Sequence, residues 1–211
     1  MFGWICSSGF IHRDTLPVPT ATFYFDLGSP YAYLTAARID DVLPVPVVWQ
    51  PISLGGLFKA NGRSSWALGG DDSRQGGIAE VERRARDYGL EALRWPEPWP
   101  TNYLYAMRAA TYAFQAGRGR EFAIEAFRRA FAHGRDLALE ENVLDVAVRA
   151  GLDREAVDEA TRNPEIKLAL RTATEAAHVL GVFGVPTVVV GKEIFWGDDR
   201  LREAAVALTS T

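Results

Sequence analysis

Thiols are almost absent from this chain: Cys6 is the one cysteine in 211 residues. No internal disulfide can form from it, and exchange chemistry by a cysteine pair is excluded with it. Lysine is nearly as scarce: of 23 basic residues only Lys59, Lys167 and Lys192 are lysines, the others being arginine. That skew, with abundant alanine, reads as a GC-rich genome and not as a function. Positive charge is not in excess either. The net charge is −4 and no basic stripe runs through the sequence, so nucleic acid is not expected as a partner. No apolar run approaches the ~18 residues of a membrane span. The three histidines, His12, His133 and His178, are far apart, and no Cys/His/carboxylate cluster has ligand spacing, so no metal is expected. Repeats and low-complexity segments are missing too.

What is present is ordinary for a soluble globular protein: 48% hydrophobic and 24% charged residues, in a length that suits one large domain or two intimately packed ones. Residues 1–20 do not make a signal peptide, because the apolar stretch is short and broken by Ser7, Ser8 and Gly9. They read as a disordered leader or a misassigned start, and the compartment as cytoplasmic.

The two ends of the remaining chain carry strands. Thr22 to Asp26 is aromatic-rich and stops at Gly28. Ser29 then stands where an N-cap belongs, with Pro30 at the first helical position, and this helix is expected to run to about Asp41. Val45 to Trp49 reads as a second strand, parallel to the first because a helix joins them. At the other end Pro186 to Val190 and Glu193 to Trp196 form two strands joined at Gly191-Lys192, and a helix over Asp198 to Leu208 closes the chain.

The middle is helical. Gly55 to Gly77 is rich in glycine and is expected to be a long mobile loop. From Ile78 to Leu180 helices follow in series, several ended by a glycine: 78–88, 102–116, 120–132, 140–150, a short one capped by Asp153, and one opened by Asn163-Pro164. The last carries Ile166, Leu170, Ala173, Ala177 and Leu180 on one stripe. The expected architecture is α/β, a thioredoxin-like fold with a large all-helical insertion. Its expected parts are residues 1–20 as leader, 21–53 with 182–211 as the thioredoxin-like domain, and 54–181 as the inserted helical domain roofing a cleft.

Phe25-Asp26-Leu27-Gly28-Ser29-Pro30-Tyr31-Ala32-Tyr33-Leu34 resembles the opening motif of the 2-hydroxychromene-2-carboxylate isomerase family. Phe183-Gly184-Val185-Pro186-Thr187 and Phe195-Trp196-Gly197-Asp198-Asp199-Arg200-Leu201 resemble its closing motifs. Gly55-Gly56-Leu57-Phe58-Lys59 and Trp99-Pro100-Thr101-Asn102, continuing to Arg108, resemble intermediate stretches. The likeness spans roughly Thr22 to Leu208 and places the chain in the DsbA-like clan that also holds the kappa-class glutathione transferases. There are departures: where the family continues with Gly-Asn and a later Pro-Lys, this chain has Gly62-Arg63 and then a Gly- and Asp-rich run, at positions that shape the second substrate's pocket.

The resemblance implies glutathione as cofactor, with its thiol against Ser29. A helix N-terminus favours a thiolate, and a serine hydroxyl can donate to the sulfur; taken alone, Ser29 reads as a plain cap. Val185-Pro186 resembles the cis-proline turn of thioredoxin-like folds, whose free backbone groups can pair with a peptide-like ligand; alone, it reads also as a trans proline opening an edge strand. Trp196, Gly197, Asp198 and Asp199 stand where the family holds the γ-glutamyl end of glutathione, Asp199 being the better partner for its ammonium. Either carboxylate also reads as a helix cap. Lys59, Asn102 and Tyr103 are candidates for the second substrate, beside a solvated lysine and a core tyrosine as alternatives.

The function so implied is a glutathione-dependent cis-trans isomerase of an unsaturated 2-oxo acid derived from an aromatic ring, with Ser29 catalytic and a homodimer as the assembly. A kappa-like glutathione transferase and a non-catalytic thioredoxin-like binding module are the alternatives. A disulfide oxidoreductase is rejected, because its Cys-x-x-Cys window reads Ser29-Pro30-Tyr31-Ala32.

Overall fold

A computed structural model describes residues 21–210; the expected leader lies outside them. Four strands form one mixed sheet in the order β2-β1-β3-β4: β1 Ala21–Phe25, β2 Val47–Pro51, β3 Thr187–Val190 and β4 Glu193–Trp196. β1 pairs parallel with β2, and antiparallel with β3, which pairs antiparallel with β4. The thioredoxin-like reading holds. The second strand begins two residues later than expected, because Pro44 and Pro46 have no N–H to give to a ladder.

The first helix is shorter than the sequence suggests. α1 covers Pro30–Ala36, the chain turns at Ala37 and Arg38, and α2 takes up Ile39–Val42. Arg38 accounts for the break. Its Nε donates to the Leu34 carbonyl at 3.1 Å and its terminal nitrogen to the Asp198 carbonyl at 2.8 Å. Its guanidinium lies 3.3 Å from the centre of the Tyr88 ring.

The glycine-rich stretch is not a loop. α3 spans Leu54–Asn61, a 3-10 turn covers Trp66–Leu68, and α4 runs Asp71–Asp87. Ser53 caps α3 by accepting from the Gly56 N–H at 3.2 Å, and Leu57 anchors it in the core. Glycine at 77 inside α4 has a steric reason: a Cβ there would stand 2.1 Å from a ring carbon of Trp66. Helix α5 follows over Leu104–Gln115, then α6 Gly119–Phe127 with a π turn to Ala132, α7 Glu140–Arg149, α8 Arg154–Arg162 and α9 Pro164–Val179. A 3-10 turn, Asp198–Arg200, leads into α10 Leu201–Thr209. The segment 78–180 contributes no strand to the sheet among the described residues, yet it is not helical throughout: residues 89–103 are irregular, with cis bonds at Glu97-Pro98 and Trp99-Pro100.

The sheet is covered on both faces. Phe23, Phe25 and Trp49 pack together, and Phe25 meets Phe114 of α5 and Phe127 of α6 at centroid distances of 6.0 and 5.8 Å. Tyr24 points the other way, into a smaller cluster with Ile52, Leu57 of α3 and Ala177 of α9. The alternation of β1 therefore ties both layers of helices to one strand, whose carboxyl end is then fixed in place.

Candidate functional site

At that carboxyl end a cavity of about 1150 Å³ opens. Its walls come from the β1–α1 turn, the start of α3 and the stretch beyond it, residues 99–107, the turn before β3, and the turn after β4. Both ends of the chain and the inserted segment contribute, so the Ser-Pro and Val-Pro turns do share one space.

Ser29 lies at its floor, 3% exposed. Its Oγ accepts from the Ala32 N–H at 3.2 Å, capping α1. Among the described residues its hydroxyl donates to nothing, so the proton is available to a ligand. The turn is held by close packing: a Cβ on Gly28 would stand 2.4 Å from Cδ2 of Tyr103. Only glycine admits the tyrosine ring that walls the floor beside Ser29.

Beneath the turn lies Asp26, to which the sequence reading gave no role. It is 6% exposed; its Oδ1 accepts from the Gly28 N–H at 2.8 Å and its Oδ2 from the Leu54 N–H at 2.7 Å. One carboxylate thus clasps the first loop of the site to the first turn of α3. Burial raises its pKa to about 6, against the pull of those two backbone donors.

The Val185-Pro186 bond is cis, as the motif implied. Thr187 begins β3, so Val185 stands just outside the ladder, and no hydrogen bond engages its N–H or carbonyl among the described residues. Gly197 N–H donates to the Pro186 carbonyl at 3.0 Å, binding the two turns together. Trp196 and Gly197 line the cavity with them.

The two aspartates after Gly197 differ. Asp198 is buried and committed: Arg84 donates to Oδ1 at 2.9 Å and the Tyr88 hydroxyl to Oδ2 at 2.8 Å. Burial raises its pKa, opposed by Tyr88 and Arg84. Both of its carboxylate oxygens thus take part in an internal network that pins α4 to the final turn. Asp199 is reachable from the cavity, its side chain 57% exposed, and lies within ion-pair distance of Arg84 at 3.5 Å. Burial opposes the charge on Arg84, yet Glu80, Asp198 and Asp199 hold it cationic.

The expected substrate residues fare unevenly. Lys59 sits on the solvent side of α3 and is not part of the wall; Phe58 and Arg63 are. Asn102 is exposed on the wall, and its Oδ1 accepts from the Leu104 N–H at 3.0 Å just before α5, which leaves its amide donors for outward use. Tyr103 offers its ring alone. Its hydroxyl is buried without a partner of normal geometry, since neighbouring Thr101 donates to Asp136 at 2.7 Å, and burial pushes the phenol pKa up. Arg108 is not in the wall. The sequence reading gave no site role to Trp66 and Trp99, tilted against each other at 5.4 Å, or to Tyr31, 6.2 Å from Trp66, which give this side an aromatic lining. The run Trp95-Pro-Glu-Pro-Trp99-Pro was the signal for Trp99, since prolines at that density break a helix.

The sequence matches the family model described as a DSBA-like thioredoxin domain over residues 20–209. Among curated proteins, the 2-hydroxychromene-2-carboxylate isomerase of Sphingobium xenophagum is 29% identical over 193 residues, 86% of this chain and 94% of the relative. That of Pseudomonas putida is 26% identical over 85% of this chain and 89% of its own length. Among solved structures, a 2-hydroxychromene-2-carboxylate isomerase superposes with a TM-score of 0.81 at 24% identity, covering 90% of this chain and 95% of the other.

Proposed function

This chain belongs to the DSBA-like thioredoxin domain family, and we propose that within it the protein is a glutathione-dependent cis-trans isomerase of unsaturated 2-oxo acids derived from aromatic rings, of the 2-hydroxychromene-2-carboxylate type. The observation that carries this reading is the floor of the cavity, where the uncommitted hydroxyl proton of Ser29 lines one space with the unpaired backbone of Val185. The names of the curated relatives, which align over most of this chain, support the reaction class.

The residues present fit glutathione. Val185 offers one N–H and one carbonyl to a peptide backbone, Asp199 an exposed carboxylate to an ammonium group, and Ser29 a donor to a sulfur. The volume lies above the ~300–1,000 Å³ usual for a single ligand, which leaves room for a second molecule. Glutathione held there would supply a nucleophilic sulfur for reversible addition to the double bond of the acid, the chemistry that permits rotation about it. Ser29 lowers the cost of the charge on that sulfur by donating to it, with the first turn of α1 behind it. The aromatic wall of Tyr31, Trp66 and Trp99 accepts a flat substrate and keeps water from it. Tyr103 holds the turn that carries Ser29. A cytoplasmic location and assembly as a homodimer belong to the same proposal.

The test is turnover of such an acid followed by absorbance with and without glutathione, with the product identified. Isomerised acid and recovered glutathione support the reading; a stable glutathione adduct makes the protein a transferase. No dependence on glutathione sinks both.

A further inference from the structure

Six charged side chains line the cavity: Asp26, Arg63, Arg84, Asp198, Asp199 and Arg200. Asp26, Asp198 and two of the arginines are engaged within the protein, while Asp199 keeps an exposed carboxylate beside Arg84. Asp26 holds two backbone donors, and Arg84 is shared between Glu80, Asp198 and Asp199. Arg200 pairs with Glu203 on the first turn of α10. Arg63 alone among the three arginines has no carboxylate within ion-pair distance among the described residues.

Arg63 is an exposed residue, yet its guanidinium is set beside two aromatic rings. The guanidinium lies 5.5 Å from the ring centre of Phe183 and 5.9 Å from that of Trp196, and these two rings pack on each other at 4.8 Å. Phe183 and Trp196 flank the Val185-Pro186 turn and Gly197, the two backbone elements that line the cavity beside Asp199. Aromatic faces hold a guanidinium by its plane and leave its edge, with its forked N–H donors, for a partner. The N–H donors of Arg63 meet no protein acceptor among the described residues, and their fork fits a planar bidentate acceptor such as a carboxylate.

We propose that Arg63 is the carboxylate-binding residue of this cavity, holding an acid group of the bound ligand from its perch on Phe183 and Trp196. The proposal rests on the function inferred above, which brings two carboxylate-bearing molecules to the site, the 2-oxo acid and glutathione.

The experiment is calorimetric titration of wild type, Arg63→Gln and Arg63→Lys with two matched pairs, each in the absence of the other molecule. One pair is 4-phenyl-2-oxobut-3-enoate and its methyl ester; the other is glutathione and its diethyl ester. Arg63→Gln is expected to weaken the acid of one pair about tenfold while its ester changes less than about twofold, and Arg63→Lys to recover part of the loss. Unchanged ester binding also reports an intact cavity. Loss confined to the oxo acid assigns Arg63 to the substrate; loss confined to glutathione assigns it to the tripeptide. Equal losses for acid and ester, or no loss in either pair, overturn the proposal, as does a wild type that prefers neither acid over its ester. Turnover is not needed for any of these readings, so a protein that binds the acids but fails to isomerise them refutes the reaction and leaves Arg63 standing.

Discussion

Ser29 performs two tasks with one oxygen, and substitution separates them. Replacing it with alanine removes the cap of a short helix, which typically costs ~1 kcal/mol, so the fold should survive. Glutathione affinity should fall little, since Val185 and Asp199 remain, while turnover should fall by at least tenfold because the donor favouring the thiolate is gone. Absorbance of the bound thiolate against pH should move to higher pH in Ser29→Ala; an identical titration with unchanged turnover would reduce Ser29 to a cap. Asp26 makes a different prediction. Its folded pKa, about 6, lies above its ordinary value of 3.8, so the native state holds the proton more tightly than the unfolded chain. The stabilisation from that proton is complete below pH ~4 and disappears as pH rises through about 6. The shift corresponds to a loss on the order of 3 kcal/mol at neutral pH. Urea midpoints of wild type and Asp26→Asn, compared at pH 4.5 and 7.5, should show the wild type losing ground to the variant as pH rises. A constant difference between them would mean that Asp26 titrates normally.

At the scale of elements, the strands and most helices were legible because burial imposes a period. Phe23 and Phe25 alternate with Tyr24 in β1, and Ile166, Leu170 and Ala177 repeat along α9 with burial to match. Glycine misled. The run from 55 to 77 reads as flexibility, and in α4 it records contact instead, since Gly77 leaves room for Trp66. Pattern reading has no access to a neighbour 11 residues away in sequence and on another element. Nor was Asp26 visible, because a carboxylate at a strand end looks like any turn residue until Leu54 is known to face it. The contact at Gly77 reverses an ordinary sign. Gly→Ala inside a helix normally stabilises by roughly 0.8–1 kcal/mol. Here Gly77→Ala should destabilise by ~1–3 kcal/mol through overpacking, and should also weaken ligands by displacing Trp66 from the cavity wall. Chemical denaturation reads the first effect and calorimetry the second; a stabilised variant would show that Trp66 moves aside freely.

The whole molecule departs from a picture of two parts joined at the boundaries 53/54 and 181/182. The main buried cluster is continuous from Phe23 and Phe25 of β1, through Phe114, Phe122 and Phe127 of the inserted helices, to Leu201 and Ala204 of α10. Phe25 sits between layers, touching Trp49 of the sheet and Phe114 and Phe127 of the insertion. Polar links run the same way: Asp26 to Leu54, and Arg84 and Tyr88 to Asp198. An insertion with its own core could melt separately; one whose core shares Phe25 cannot open without exposing the sheet. The chain should therefore unfold in a single transition, with far-ultraviolet circular dichroism and tryptophan fluorescence coincident in urea. The cavity walls come from both parts, so a ligand that binds only the closed site raises the stability of all of it together. At a hundredfold excess over its Kd that rise is about 2.7 kcal/mol. S-methylglutathione, which keeps the peptide contacts and lacks a free thiol, should shift both probes by the same amount. Two separated transitions, or a shift in one probe alone, would show that the insertion folds on its own and that the cavity lies between independent bodies.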